Sequence, residues 1–273
     1  MAEPRGREAI AADYQAARSR GDTATMLRFQ NEEACLVLLT ILERLARDAS
    51  SFVHGVALKG GILMAGELRS PRVSADIDAT SGHQRRLDPD RMVADLRRAG
   101  REFGLRLDGE PDRTAGGMVI RFRFDSMTDA GTAKFEVSVR EDLVLAVRDA
   151  FFDVGDLGLA PFTLPAVAEA ELVAEKIRAL VQRAQPRDLF DLHLYLTRSG
   201  WHLDPTALRQ ALDAKLSITR YKRWRPGLWR TNLDEMEPAW TTTMPAWVDP
   251  NRLSSFATVV EGVARRMRSL RLD

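Results

Sequence analysis

Asp76 and Asp78 stand two positions apart in the segment RVSADIDAT, residues 72–80. Val73, Ala75, Ile77 and Ala79 fall in one phase of that segment and Ser74, Asp76, Asp78 and Thr80 in the other, which predicts a strand over Arg72–Thr80. Successive positions on one strand face lie about 6–7 Å apart, so the two carboxylates would repel unless a cation lay between them. Mg²⁺ suits such hard oxygen donors, because it takes one or two carboxylates and fills its shell with water and substrate phosphate. A D-x-D pair alone is also what a solvated strand face looks like. Here Lys59-Gly60-Gly61 stands upstream, at a strand-to-helix junction. Glycine there lets the backbone approach a ligand closely, and the first N–H groups of a helix favour phosphate. Ser74 adds a hydroxyl in the phase of Asp76. Glu136, in the polar phase of KFEVSV (134–139), is a third carboxylate or else a solvated edge residue.

A second group lies later in the chain. Lys176 has Leu172 and Leu180 four positions to either side and Val173 three before it, so it emerges among core-facing residues. A lysine there needs a partner; a triphosphate or a buried carboxylate such as Asp191 would serve. Residues 187–197 are apolar nearly all round a helix, which encloses Asp188 and Asp191. Arg187, Asp191 and Lys176 could equally form an internal ion-pair network joining the two halves of the chain.

These residues need elements to hold them. Residues 1–24 are either a mobile lead-in or a first amphipathic helix. Leu27–Ala46 has the spacing of a helix with one buried face, using Leu27, Phe29, Leu36, Leu39, Leu42 and Leu45. Phe52–Leu58 is short and apolar, and Ile62–Leu68 reads as a brief helix entered through the glycines. Asp90–Phe103 reads as a helix closed by Gly104. Met118–Asp125 and Ala133–Arg140 both alternate and predict antiparallel strands. Ala168–Ala184 is a helix, and Pro186 suits the first turn of the next, which stops at Ser199-Gly200. The glycines and prolines of 155–165 mark a boundary. The predicted organisation is a lead-in over 1–26, a mixed α/β unit over 27–160 and a helical part over 161–273.

The chain has 273 residues, a net charge of +1, 45% hydrophobic and 29% charged residues, a profile that excludes disordered, fibrous and polycationic classes. Contact with nucleic acid must therefore come from a local patch. Lys215, Arg220, Lys222, Arg223, Arg225 and Arg230 form one, interleaved with Tyr221, Trp224 and Trp229 and with no acidic residue between Lys215 and Arg230. Phosphates attract such charges and exposed rings stack on unpaired bases; the alternative is that Trp224 and Trp229 belong to a core. Arg265, Arg266, Arg268 and Arg271 form a second, weaker cationic end. Only Lys59, Lys134, Lys176, Lys215 and Lys222 are lysines. Where an arginine-rich chain keeps lysine, a compact point charge is wanted instead of a planar fork.

The single cysteine, Cys35, excludes an internal disulfide framework and a zinc site built on paired cysteines. His54, His83, His193 and His202 show no ligand spacing, and no P-loop or G-x-S-x-G elbow is present. The longest apolar run, Cys35–Leu42, is far shorter than the roughly 20 residues a membrane helix needs, and the N-terminus shows no apolar signal core. A cytoplasmic protein without membrane contact is expected.

The order G-G, R-x-S-x-D-x-D and a later acidic strand residue resembles the nucleotidyltransferase superfamily. FVHGVALKGGILMAGELRSPRVSADIDAT (52–80), EAELVAEKIRALVQRAQPRDLFDLHLYL (169–196) and RYKRWRPGLW (220–229), followed by Met244-Pro245-Ala246-Trp247, narrow it. They look like the AbiEii/MenT family of nucleotidyltransferase toxins from bacterial toxin–antitoxin and phage-defence systems, over roughly residues 27–260. The resemblance implies an α/β (α+β) fold, with a nucleotidyltransferase-like mixed sheet flanked by helices and a helical C-terminal half. It implies a Mg²⁺-dependent enzyme that transfers nucleotides from a nucleoside triphosphate (NTP) to the 3′ acceptor end of tRNA, blocking translation, and that a cognate antitoxin neutralises. Carried over residue by residue, Ser74 and Asp76 match the family's S-x-D pair and Asp78 completes the metal-holding carboxylates. Lys176 matches the lysine of the E-K helix, and Arg187, Asp188 and Asp191 match the R-D-x-x-D run.

On that reading Asp76, Asp78, Lys176, Asp191 and Glu136 are catalytic, and Lys59, Gly60, Gly61, Ser74, Arg187 and Asp188 bind nucleotide. Lys176, with Lys59, would balance charge on the leaving pyrophosphate, and Glu136 or a second metal would help activate the attacking hydroxyl. Arg220, Lys222, Arg223, Trp224 and Arg225 would contact RNA. Many relatives carry a hydroxyl residue after G-G where this chain has Ile62, which leaves backbone contacts only. A phosphoryl group on Ser74 would place about −2 charge beside Asp76 and switch the site off. Two alternatives stay open: transfer to a small hydroxyl compound such as an aminoglycoside, and a catalytically idle module that binds a nucleotide or a partner.

Overall fold

The structure, a computed structural model, describes residues 5–81, 87–114, 116–139, 143–197 and 203–273. His83, His202, the end of the 133–140 strand at Arg140 and the helix stop at Ser199-Gly200 lie outside the described residues. Contacts divide the chain into one unit of residues 1–142, 147–166 and 246–248, and a second of 143–146, 167–245 and 249–273.

The first unit begins with α1 (Arg7–Ser19), an amphipathic helix with Ile10, Tyr14 and Ala17 buried, the second of the two readings of that segment. Asp22 then caps α2 (Thr23–Arg47), its carboxylate accepting from Thr25 N at 3.1 Å. A single buried face was expected for α2. Instead Ala34–Leu42 is buried on every side, while Leu27 is 44% exposed. The reason is that α1, the sheet and two further helices all pack on it. Those helices are α3 (Gly60–Glu67), which follows β1 (Ala57–Lys59), and α4 (Pro89–Ala99), which follows β2 (Asp76–Thr80). α4 ends short of the predicted Phe103; a 3-10 turn over Arg101–Phe103 follows, closed by left-handed Gly104 at φ +60°.

The remaining strands are β3 (Arg106–Leu107), β4 (Asp112–Thr114), β5 (Gly117–Arg123), β6 (Thr132–Ser138), β7 (Arg148–Phe152) and β8 (Phe162–Ala166). The sheet runs β3-β5-β6-β2-β1-β8-β7, with β4 also on β5. It is mixed: β5–β6 is antiparallel as predicted, β2–β6 and β1–β8 are parallel, and β1–β2 and β7–β8 are antiparallel. Ile77 and Ala79 of β2 and Phe135 and Val137 of β6 are completely buried, forming the apolar face of the sheet toward α2. The alternating residues point the other way. The β2 strand is shorter than its alternation predicts, because Arg72–Ala75 pairs elsewhere: Arg72 bridges Val248, and Val73 N donates to Trp247 O at 3.1 Å.

The second unit is helical. α5 (Glu169–Arg183) ends at left-handed Ala184 (φ +49°), and α6 (Pro186–Thr197) starts on the predicted proline. α7 (Pro205–Ser217), α8 (Leu233–Thr243) and α9 (Phe256–Ser269) complete it.

Candidate active site

The carboxylate site is built on β1, β2 and β6, where register decides which side chains share a face. Lys59 of β1 is paired with Asp78 of β2, which is paired with Glu136 of β6. One step along, Asp76 is paired with Lys134, and Lys134 with Arg121 of β5. Asp76, Asp78 and Glu136 therefore project from one face, as their spacing predicts, and Lys59 lies beside them.

The glycine block is in direct contact with this row. Gly60 has φ +75°, a conformation that favours glycine. A methyl group on it would overlap Asp78 Oδ2 and come within 3.1 Å of the carboxylate carbon. A methyl group on Gly61 would overlap the Arg72 guanidinium and lie 2.6 Å from Ser74 Oγ. The backbone of Gly60-Gly61 thus passes directly over Asp78 and Ser74. Ser74 donates to the Asp76 carbonyl at 3.2 Å and is 5% exposed, so its hydroxyl is closed to a modifying enzyme in this conformation. Behind it Cys35 is buried, and burial pushes its thiol up to about 11 against the backbone of Ser74 and the charge of Arg72, which leaves it inert as a nucleophile. Ile62 is fully buried and presents no polar group.

Sequence reasoning did not single out Lys134 or Arg72 as site residues. Lys134 Nζ lies 3.1 Å from Glu136 Oε2 and 3.8 Å from Asp76 Oδ2. Burial alone would lower its pKa, but Asp76, then the hydrogen bond and charge of Glu136, then Asp78 raise it above the usual lysine value. Its alternation with Glu136 and the scarcity of lysine in the chain were the available signals. Arg72 is 4% exposed and donates to Val73 O at 3.0 Å.

Among the described residues no cluster of three or more His, Cys, Asp or Glu is arranged to hold a metal. Asp76 and Asp78 still suit a hard dication that takes only one or two carboxylates and draws its other ligands from water and phosphate. The half-exposed Asp76 leaves room for them.

Substituting Gly60 by alanine is expected to cost about 1–3 kcal/mol from the disfavoured φ and to displace the Asp78 carboxylate. Transfer activity should fall far more than the melting temperature; equal activity in Gly60→Ala would mean that this contact does not shape the site.

The second unit holds Lys176, Asp188 and Asp191, and both aspartates have no exposed side-chain surface. Lys176 Nζ lies 2.7 Å from Asp191 Oδ2 and 3.4 Å from Asp188 Oδ1. Arg183, which the sequence reading passed over, grips Asp188 through two bonds of 2.7 Å. Burial would raise the Asp188 pKa; Lys176, then Arg183 and Arg187, override it and hold the carboxyl below its usual value. Of the two partners open to Lys176, the structure shows the buried carboxylate, and the network lies within one unit, joining α5 to α6.

The basic stretch needs a correction. Trp224 is 4% exposed and donates through Nε1 to Leu272 O at 3.0 Å, and Trp229 is fully buried, bonding Asp273. Both rings fill the core and cannot stack on bases, because the C-terminal residues close over them. Lys215 is also buried, 3.0 Å from Glu171. Arg220, Lys222, Arg223 and Arg225 remain exposed, with the Arg220 guanidinium over the Tyr221 ring.

Residues 41–255 match the family model described as nucleotidyl transferase AbiEii toxin, type IV toxin–antitoxin system. No curated protein sequence matches significantly. The fold is similar to MenT4, a nucleotidyltransferase toxin from Mycobacterium tuberculosis, at 19% identity and a TM-score of 0.64, covering 97% of this chain and 89% of that one. It is also similar to JHP933 from Helicobacter pylori, at 15% identity and a TM-score of 0.54, with 86% and 88% coverage. A third likeness is to a structure described as a nucleotidyltransferase from H. pylori, at 14% identity and a TM-score of 0.56, covering 89% of this chain and 94% of that one.

Proposed function

The chain belongs to the AbiEii family of nucleotidyltransferase toxins, and from that premise we propose that it transfers a nucleotide from an NTP to the 3′ acceptor end of tRNA, with Mg²⁺ held by Asp76 and Asp78. The observation that carries this reading is the contact of Gly60 with the Asp78 carboxylate and of Gly61 with Ser74. It brings the backbone proposed to cradle phosphate and the pair proposed to hold the cation to one place, which a merely solvated D-x-D face has no reason to do.

Transfer by in-line attack on the α-phosphorus asks for positioning and charge neutralisation more than for covalent chemistry. The ion would polarise the phosphoryl oxygens and neutralise charge developing on them. Asp76 and Asp78 fix where the triphosphate sits. The N–H groups of Gly60 and Gly61 orient its oxygens, Ser74 braces the strand through its bond to the Asp76 carbonyl, and Lys59 contributes positive charge on the same face. Glu136 is the assigned acceptor of the proton from the attacking hydroxyl. On the strength of the family resemblance Lys176 is assigned to balancing the leaving-group charge and Arg187 to nucleotide contact, while the enclosed Asp188 and Asp191 act through Lys176, which they hold.

The exposed Arg220, Lys222, Arg223 and Arg225 are the proposed contact with the RNA backbone, by charge and without aromatic stacking. Reversing Arg223 and Arg225 to glutamate is expected to weaken tRNA binding by about tenfold or more at low salt while NTP binding persists. Equal loss of both would indicate unfolding instead. A cognate antitoxin is the expected protein partner of a toxin of this family, and no described helix is long and apolar enough to cross a membrane. Incubating the protein with total tRNA, Mg²⁺ and each labelled NTP in turn tests the reading. Label on the tRNA 3′ end supports it; label on a small hydroxyl acceptor alone would turn it toward the aminoglycoside-type alternative.

A further inference from the structure

Three carboxylates on adjacent strands, Asp76, Asp78 and Glu136, share a sheet face with two lysines: Lys59, the register partner of Asp78, and Lys134, whose ammonium lies 3.8 Å from Asp76 and 3.1 Å from Glu136. Lys134 is the register partner of Asp76 and stands two residues before Glu136, so no turn or loop is needed to bring the charges together. Its side chain is 34% exposed and that of Asp76 39%, which leaves the pair open to exchange with solvent species. Without a cation the three carboxylates would push one another apart. The position carries lysine in a chain that otherwise prefers arginine, and lysine is the cation that moves most easily: a point charge on a flexible stem, where arginine would lock a carboxylate in a two-bond fork.

We propose that Lys134 is a positioning residue, an internal counter-ion that holds Asp76 and Glu136 in place in the ion-free protein and makes divalent-cation binding conditional on the triphosphate. The inference rests on the nucleotidyl-transfer reading above. A free dication approaching Asp76 meets the ammonium and gains little. A triphosphate supplies anionic oxygens toward which the ammonium can turn, and the carboxylate is then released to the ion. Free divalent cation is therefore held off, and nucleotide and metal enter together.

The test is Mn²⁺ binding to the full chain without nucleotide, by calorimetry, with thermal unfolding as a check on the fold. Lys134→Met is expected to bind Mn²⁺ about tenfold more tightly than the unsubstituted protein, because a like charge has left the site. Lys134→Arg should restore the weak binding. With a non-hydrolysable NTP present, the difference between Lys134→Met and the unsubstituted protein should shrink to within about threefold. Unchanged or weaker Mn²⁺ binding by a cooperatively melting Lys134→Met would overturn the proposal, and Lys134→Gln gives the same reading should the methionine variant not fold. Mn²⁺ binding that survives Asp76→Asn would instead overturn the assignment of the metal to Asp76, and so separates the failure of this inference from the failure of the reading beneath it.

Discussion

Asp76→Ala lowers the rate of nucleotide transfer by about 10³-fold, equivalent to about 4 kcal/mol of transition-state stabilisation, while the protein keeps its melting temperature or gains slightly. Both halves of the expectation come from one arrangement. Asp76 shares a sheet face with like-charged Asp78 and Glu136, and its contact with Lys134 across the strand pair is a part-exposed one at 3.8 Å, so its removal trades a weak ion pair for relieved repulsion and opens no cavity in the core. The cost falls on chemistry alone. Asp78→Ala should behave alike in the transfer assay, with an added change at Gly60, which packs on that carboxylate. Initial rates with labelled NTP, set beside thermal melts of the same preparations, measure both. An Asp76→Ala protein that is stable and fully active would remove the carboxylate pair from the mechanism.

Glu33→Ala is the largest expected loss of stability. This carboxylate of α2 has no exposed side-chain surface, yet it accepts from Arg7 Nη2 at 2.7 Å, Ser126 Oγ at 2.7 Å, Thr128 Oγ1 at 2.6 Å and Met127 N at 2.9 Å. It thereby ties α1 and the β5–β6 connection to α2. Removing it strands a partly buried guanidinium and a backbone N–H, at about 3–5 kcal/mol. Burial pushes the Glu33 pKa up, but the Thr128 hydroxyl, the Met127 N–H, Ser126 and Arg7 outweigh it and hold the carboxyl below its usual value. A depressed carboxylate stabilises the fold fully above the unfolded pKa of about 4.3, and that contribution disappears as pH falls through the folded value. Urea unfolding should therefore show a large gap between the unsubstituted protein and Glu33→Gln at pH 7, closing below about pH 4. A constant gap would mean that hydrogen-bond geometry, not charge, is what Glu33 contributes.

Local periodicity carried much of this architecture. The D-x-D alternation put both carboxylates on one face, the glycine pair marked the β1–α3 junction, and Pro186 marked the start of α6. What spacing could not supply was pairing between distant segments. Lys134 became part of the site because β6 lies parallel beside β2, and no local pattern announces that neighbour. Arg72–Ala75 alternates like a strand, yet its backbone is claimed by Trp247 and Val248 from far along the chain. For Trp224 and Trp229 the local pattern fits a stacking platform and a core residue alike, and only the distant C-terminal Leu272 and Asp273, which bond their ring N–H groups, decide for the core. Glu33 sat in a helical pattern where charge reads as solvent-facing, and only the loop at Ser126–Thr128 reveals otherwise.

The central claim is that Asp76 and Asp78 grip a metal-bound triphosphate beneath Gly60-Gly61. Crystals grown with Mn²⁺ and a non-hydrolysable NTP, with data collected at the manganese absorption edge, test it most directly. The account predicts an anomalous peak within coordination distance of both carboxylates, with triphosphate oxygens against the Gly60 and Gly61 N–H groups. A nucleotide bound elsewhere, with no manganese at Asp76 and Asp78, would contradict it.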